Sequence, residues 1–303
     1  MSRRIVIAGA GGQVGSFLAG ESTRQGRDVL ALTSSQWDIS DPQRAGEIVQ
    51  AGDVVINCAA YTAVDDAESD RDRAYAINAA GPGHIAQACA RVGARLVHIS
   101  TDYVFDGDFG EAPPRPYEPD DATRPLSVYG RTKLGGEQAV LAALPQAVVV
   151  RTAWVYTGGT GTDFVAAMRR QAAGDGVVEI VDDQTGSPTY VADLVEALLE
   201  VADGRVTAPD GIVHAANAGE VTRCGQARAV FEILGADPER VRPVSSDHNP
   251  RPAPRPAYSA LSGRQSQNAG LSPLQPWRAA LETALASAPE EPTHRRPLPS
   301  TRE

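Results

Sequence analysis

The sequence predicts an α/β fold in which a doubly wound parallel sheet carries a smaller C-terminal part. Two patterns predict it. Short, nearly all-apolar runs recur along roughly the first 155 residues with helical sequence between them, the alternation of a parallel sheet covered on both faces. The first run, Arg4-Ile5-Val6-Ile7-Ala8, opens directly into Gly9-Ala10-Gly11-Gly12-Gln13-Val14-Gly15. Gly9, Gly12 and Gly15 have the spacing G-x-x-G-x-x-G, which permits a tight turn, lets backbone approach a pyrophosphate, and lets the next helix sit close on the strand. The pyrophosphate then lies on free N–H groups at the positive helix end. The predicted arrangement is therefore of Rossmann type and binds a dinucleotide.

Length and composition fit a soluble protein with a real core. At 303 residues the chain holds one large domain or two modest ones. A net charge of −10 argues against a nucleic-acid or anionic-membrane partner. Cys58, Cys89 and Cys224 show no paired spacing, so free thiols in a reducing cytoplasm are expected. The histidines form no ligand cluster by spacing, and no metal is expected. No apolar run reaches membrane length.

The remaining elements follow in order. A second strand, Asp28 to Leu32, ends in Thr33-Ser34-Ser35. An NAD site usually places an acid there to hold the ribose 2′-OH, whereas these hydroxyls can bond a 2′-phosphate, which favours NADPH over NADH. Next, Asp38 can accept from an adenine amino group while Ile39 packs on the ring; a helix N-cap region before Pro42 is the alternative. The third strand, Asp53 to Cys58, ends in Ala59-Ala60-Tyr61-Thr62, small and polar residues suited to border a cofactor crevice. Asp65, Asp66, Glu68 and Asp70 read as a solvated helix start, and Ala74 to Ala90 as an Ala-rich helix. The fourth strand, Arg95 to Ile99, runs into Ser100-Thr101-Asp102-Tyr103-Val104-Phe105, which puts hydroxyls at the ligand-binding end of the sheet. A Pro-rich loop from Gly110 to Pro125 delivers the chain to a helix through Leu144, and a fifth strand covers Ala147 to Val150.

Beyond Trp154 the alternation loosens. Thr157 to Asp163 is a loop, Asp182 to Thr189 a polar turn, Val191 to Val201 a helix, Ile212 to Ala215 a last strand, and Cys224 to Leu234 and Leu274 to Ala286 helices. Pro250 to Pro256 alternates Arg and Pro and is extended. Its Arg255 suits a diphosphate, which a guanidinium grips through two N–H groups; a solvated loop arginine is the alternative. The predicted division is 1–157 for the dinucleotide part, with 186–217 returning to it, 158–185 and 218–287 for the substrate-binding part, and 288–303 as a flexible tail.

The chemistry gathers at Tyr129-Gly130-Arg131-Thr132-Lys133. Of 28 basic residues, Lys133 is the one lysine. Where bulk positive charge suffices the chain uses arginine, so this site needs a compact ammonium on a flexible stem. Tyr129 lies four residues earlier, on the same face of a helix. A phenol has a pKa of about 10, and a nearby ammonium lowers it toward a working general acid. Bringing it to neutrality takes roughly 4 kcal/mol, so Lys133 needs help from other charge. The alternative is an exposed pair on a surface helix.

The G-x-x-G-x-x-G turn, the Ser100-to-Phe105 strand end and Tyr129-x-x-x-Lys133 together resemble the extended short-chain dehydrogenase/reductase family. Within it, the strings Asn57 to Asp65, Arg151 to Tyr156, Asp183 to Thr189 and Arg255-Pro256 resemble those of reductases acting on dTDP-4-dehydro-L-rhamnose. The resemblance runs from Ile5 to about Leu285. It implies hydride transfer from NADPH or NADH to the C4 ketone, with Tyr129 protonating the alkoxide and Lys133 tuning Tyr129 and holding the nicotinamide ribose. It further implies that Thr101 bonds the keto oxygen, and that Asp102 and Trp154 lie near the sugar nucleotide. Gly12, Gln13, Val14, Asp38, Ile39, Ala60, Tyr61, Thr62 and Tyr103 match cofactor-binding positions.

There are departures. Thr33 replaces an acid of some relatives, Asp163 replaces an asparagine and adds charge near the sugar pocket, and Arg223 replaces a frequent aromatic. A glutamate that helps hold magnesium at a dimer interface in some relatives falls on Phe17, so neither the metal nor that dimer is carried over; a monomer or weak homodimer is expected. Two other readings stand beside the reductase: a catalytically silent dinucleotide-binding regulatory subunit, and a nucleotide-sugar epimerase or dehydratase of the same fold. A dehydratase needs a Glu after Thr101-Asp102, where this chain has Tyr103.

Overall fold

The computed structural model describes residues 3–159, 161–208 and 210–287. The predicted tail, 288–303, lies outside the described residues. A six-stranded parallel sheet forms the centre, from β1 (Ile5–Ala8), β2 (Val29–Leu32), β3 (Val54–Asn57), β4 (Arg95–Thr101), β5 (Val148–Thr152) and a later strand, Ile212–His214. The order across the sheet is Ile212–His214, β5, β4, β3, β1, β2, so the winding reverses between β1 and β3. In such sheets ligands bind at the carboxyl ends of the strands beside that reversal.

Alternation along each strand explains the two apolar layers. Ile5 and Ile7 point to one face with Leu18, Val54 and Ile56, while Val6 and Ala8 point to the other with Val55, Leu96 and Val149. Both sets are buried, which is why the strands read as continuous apolar runs. Helix α1 (Gln13–Arg24) follows the glycine turn, and α2 (Arg44–Ile48) follows β2.

The predicted Ala74-to-Ala90 helix is longer and irregular. It runs as α3 (Arg71–Tyr75), a π-helical turn over Ala76–Ala80, and α4 (Gly81–Val92). Pro82 has no N–H to donate back along the helix, so the regular ladder cannot pass through it. The Asn78 carbonyl, one turn before Pro82, is where the next helix, α5 (Val128–Ala143), approaches most closely, at Gly136.

The C-terminal part holds elements that the sequence pattern did not reveal. β6 (Val155–Tyr156) pairs with β9 (Thr189–Tyr190), β8 (Thr185–Gly186) with β11 (Val221–Thr222), and β7 (Val178–Val181) with β12 (Val241–Val244). Ile212–His214 is β10. Two of the pairs are only two residues long, and in the third, four residues long, β12 carries Arg242 and Pro243, so none presents an apolar run. Helices α6 (Phe164–Ala172), α7 (Val191–Ala202), α8 (Arg223–Ile233), α9 (Arg264–Asn268) and α10 (Trp277–Ser287) complete the fold. Among the described residues, no helix is long and apolar enough to cross a membrane.

The acidic run departs from expectation. Asp65 accepts from Arg251 at 2.5 Å and from Arg255 at 2.7 Å, and Glu68 accepts from the Val128 N–H at 2.7 Å. Two of the four carboxylates are thus tied to distant chain rather than solvated, because the loop after β3 lies under both the Pro-rich segment and the start of α5.

Candidate active site

Thr101 ends β4 and starts a short turn over Asp102–Val104. Its hydroxyl oxygen accepts from the Tyr103 N–H at 3.2 Å and its proton goes to Asp102 Oδ1 at 3.0 Å. Ser259 Oγ donates to the other carboxylate oxygen at 2.6 Å. Burial raises the Asp102 carboxyl to about 6, while the bonds from Ser259 and Thr101 hold it down.

Helix α5 is pressed onto this turn. Ser127 caps it through the Gly130 N–H at 3.1 Å, and a side chain at Gly130 would strike the Tyr103 carbonyl. The close seat brings the Tyr129 ring edge-on to Tyr103, centroids 5.6 Å apart, with its phenol near enough to the Thr101 side chain for that group to pull on its proton. One turn on, Lys133 is 3% exposed and its Nζ donates to the Ile99 carbonyl at 2.6 Å. Tyr129, Lys133 and Thr101 therefore meet at the carboxyl end of β4, and the exposed-pair alternative does not hold.

One expectation about this pair is corrected. Burial pushes the Tyr129 phenol up from its ordinary value, and Asp102 and Tyr103 push the same way; only Thr101 pulls it down. Lys133 is not among the groups that shift it; its ammonium donates to the Ile99 carbonyl and is itself driven down to about 8 by burial. The phenol is held fully protonated rather than made acidic.

The glycine turn fits a dinucleotide. Gly9 has φ +79°, and a Cβ there would fall 2.6 Å from Ala59. A Cβ at Gly15 would strike the Gly9 carbonyl, so the helix can close on the strand only with glycine. Gly12 precedes Gln13 and Val14 at the start of α1 with no side chain capping the helix, which leaves that end to an anion. Thr33 lies beside Gly11, its hydroxyl 2.9 Å from Ser35 Oγ, a cluster of hydroxyls without an acid.

Other predicted residues divide. Asp38 accepts from the Ser40 N–H and Oγ at 3.0 and 2.6 Å, which holds its carboxyl below the usual range. Ile39 is 3% exposed and packs on Gly81 inside the apolar layer, so its side chain faces the core and not a ring in the cleft. Between Ala60 and Thr62, the Tyr61 N–H and C=O are both held by the Asn78 amide, at 2.8 and 3.0 Å. Trp154 has φ 49° and its indole lies against Gly186. Asp163 caps α6 through the Ala166 N–H at 3.0 Å and accepts from Thr157 Oγ1 at 2.7 Å, so its carboxylate is held by neutral donors. Arg255 is bound to Asp65 at 2.7 and 3.0 Å and to the Ala253 carbonyl at 2.6 Å, and it touches Tyr103.

Sequence reasoning did not single out Ser259, and it placed Asn78 on the Ala-rich helix without giving it a role. Ser259 comes 157 residues after Asp102, and no local pattern announces the meeting. A cavity of about 700 Å³ opens at the opposite side of the sheet, lined by Arg3, Ile5, Val54 and Arg95. It sits at the amino ends of the strands, away from the crevice, and we assign it no part in the chemistry.

The family described as RmlD substrate binding domain matches residues 3–289. The chain is 68% identical over 302 residues to the dTDP-4-dehydrorhamnose reductase of Mycobacterium tuberculosis, covering 100% of this chain and 99% of that protein. It is 60% identical over 301 residues to the dTDP-4-dehydrorhamnose reductase of Mycolicibacterium smegmatis, covering 99% and 90%. Among solved structures, dTDP-4-dehydrorhamnose reductase from Bacillus anthracis in complex with NADP gives a TM-score of 0.86 at 35% identity, covering 94% of this chain and 99% of that one.

Proposed function

The chain belongs to the RmlD substrate-binding-domain family, that of the dTDP-4-dehydrorhamnose reductases, and from that premise we propose that it reduces the C4 ketone of dTDP-4-dehydro-L-rhamnose to dTDP-L-rhamnose with NADPH. The observation that carries the reading is the meeting of Tyr129, Thr101 and Lys133 at the carboxyl end of β4, on the cofactor side of the sheet reversal.

Bound NADPH supplies the hydride that C4 receives. Tyr129 gives its proton to the C4 oxygen, and burial keeps that proton in place until the oxygen becomes basic. Lys133, one helical turn on and anchored to the Ile99 carbonyl, presents its ammonium to the nicotinamide ribose. Thr101 has a single hydroxyl proton. In the free protein that proton goes to the Asp102 carboxylate; turned to the keto oxygen, it donates where charge develops, while Asp102 and Ser259 keep the Thr101 turn in place. Gly9, Gly12, Gln13 and Val14 hold the pyrophosphate, and Ala60, Tyr61, Thr62 and Tyr103 border the nicotinamide half. Residues 158–185 and 218–287 form the substrate-binding part, against 1–157 and 186–217 for the cofactor.

The test is loss of nicotinamide absorbance with dTDP-4-dehydro-L-rhamnose added. Net oxidation of NADPH is expected. Binding without turnover points instead to the silent subunit, and sugar conversion without net oxidation to an epimerase. For the cofactor, Thr33→Asp sets a carboxylate against a 2′-phosphate and is expected to cost NADPH roughly tenfold in affinity relative to NADH. Unchanged NADPH titration overturns the role given to the end of β2.

A further inference from the structure

The geometry points to Arg223 as the residue that grips the diphosphate of the nucleotide sugar, in place of Arg255. The inference rests on the reading of the cleft given above.

Arg223 is the first residue of α8, after Thr222, whose hydroxyl caps the helix through the Gly225 N–H at 2.9 Å. Its guanidinium carbon lies 3.4 Å from the centre of the Trp154 ring and 5.1 Å from that of Phe164. Among the described residues, its guanidinium forms no ion pair and no hydrogen bond. A guanidinium has five N–H donors, so a partly buried one without an acceptor lacks its natural partner. Its position adds to the imbalance. A cation in the first turn of a helix stands at the positive end of the macrodipole, where an anion is stabilised and a second positive charge is not. Burial lowers its pKa to about 10, which still leaves it charged at neutral pH.

Arg255 is differently placed. Both of its terminal nitrogens are on the Asp65 carboxylate, which Arg251 shares. To take a diphosphate it must first leave a matched partner. Arg223 has nothing to leave.

The side chain is also held ready. Trp154 is the one non-glycine residue with positive φ among those described, and a Cβ at Gly186 would fall 2.5 Å from its indole. The ring is thus fixed by the absence of a side chain at Gly186, and Arg223 is stacked on it. Stacking limits the rotamers of the long side chain while leaving its N–H donors without an acceptor among the described residues, ready for a pair of phosphate oxygens. Asp102 and Tyr103 feel the charge of Arg223, which places it beside the catalytic turn. A diphosphate arriving near Asp102 meets repulsion, and Arg223 is the unpaired cation that offsets it.

The test titrates dTDP into wild type, Arg223→Gln, Arg223→Met and Arg255→Gln, each with NADPH titration as a control. Both Arg223 variants are expected to lose dTDP affinity by about tenfold or more, with thymidine and NADPH affinities unchanged. Arg255→Gln is expected to lose less. Undiminished dTDP binding in a variant that holds NADPH, a larger loss in Arg255→Gln, or an equal loss for NADPH overturns the assignment. A second measurement needs no variant: dTDP is expected to protect Arg223 of the wild-type protein from phenylglyoxal, and failure to protect it overturns the assignment too. If the wild type binds no nucleoside diphosphate, whether dTDP, UDP or GDP, the reading of the cleft fails with it. If it binds one and Arg223 is indifferent, only Arg223 is wrong.

Discussion

The buried ammonium of Lys133 ties the chemistry to pH. Its pKa of about 8 lies below the ordinary lysine value, so the charge proposed to hold the nicotinamide ribose fades as pH rises through about 8. The predicted profile of kcat/KM, which reports the free enzyme, therefore falls on its alkaline side near pH 8. Lys133→Arg removes that limb, since a guanidinium does not titrate there, and misplaces the charge; turnover is expected to drop by roughly 100-fold or more. Near wild-type turnover in this variant removes the case for the lone lysine. Asp102 gives the companion test. Its folded pKa of about 6 exceeds that of an unfolded chain, so its contribution to stability is intact in acid and is lost as pH rises through 6. Asp102→Asn is expected to melt higher than wild type at pH 8 by the equivalent of up to about 3 kcal/mol, and to gain little at pH 4, while losing activity. Equal gains at both pH values overturn the account. The Tyr129–Lys133 pair was legible in the sequence because its spacing is local, whereas the role of Thr101 came only from the resemblance of its strand end to a known family. The direction of the Tyr129 shift was not legible, because desolvation depends on what covers the ring, and that is supplied by residues distant in sequence, Tyr103 edge-on to it and the cluster of Ala67 and Ala74 against which it packs.

At the level of elements, the site depends on how closely α5 lies on its neighbours. Gly130 meets the turn after β4, and Gly136 meets the Asn78 carbonyl in the π-helical turn. Neither contact leaves room for a methyl group. Gly136→Ala gains helix propensity of up to about 1 kcal/mol, but the clash is with rigid backbone and exceeds it. A net destabilisation of about 2 kcal/mol is expected, read as a lower urea midpoint. A midpoint at or above wild type shows that α5 can shift, and the argument for a fixed seat fails. The strands and long helices were readable from periodicity, since the sheet is covered on both faces and α7 is strongly amphipathic in sequence. The π-helical turn was not, because Ala76-Ile77-Asn78-Ala79-Ala80 reads as ordinary helix and the disruption comes from Pro82 beyond it. The short strand pairs escaped because pairing of two residues leaves no pattern.

Across the whole molecule, the segment near 250–262 binds the two parts together. Its Ala260 carbonyl accepts from the Tyr117 N–H at 2.8 Å, Ser259 reaches Asp102, the Leu261 N–H reaches Ser187 at 3.1 Å, and Arg251 and Arg255 share Asp65. The Pro-rich loop, the catalytic turn and the loop after β3 thus all meet one stretch of chain. Asp65 is the tie that lies on the loop after β3 rather than in the turn after β4. Arg255, then Arg251 and the Ala253 N–H, hold its carboxyl well below the usual range against the opposing effect of burial. A depressed folded pKa contributes stability above the unfolded value of about 3.9, lost as pH falls below it. Asp65→Asn keeps the shape and removes the charge. It is expected to destabilise the protein at pH 7 by about 1–2 kcal/mol, with a difference from wild type that shrinks below pH 4. Because the tie positions the substrate side and not the glycine turn, KM for the nucleotide sugar is expected to rise severalfold while NADPH affinity stays level. If both constants move together, the segment holds the cofactor side as well, and its role as a separate strap on the substrate part is wrong.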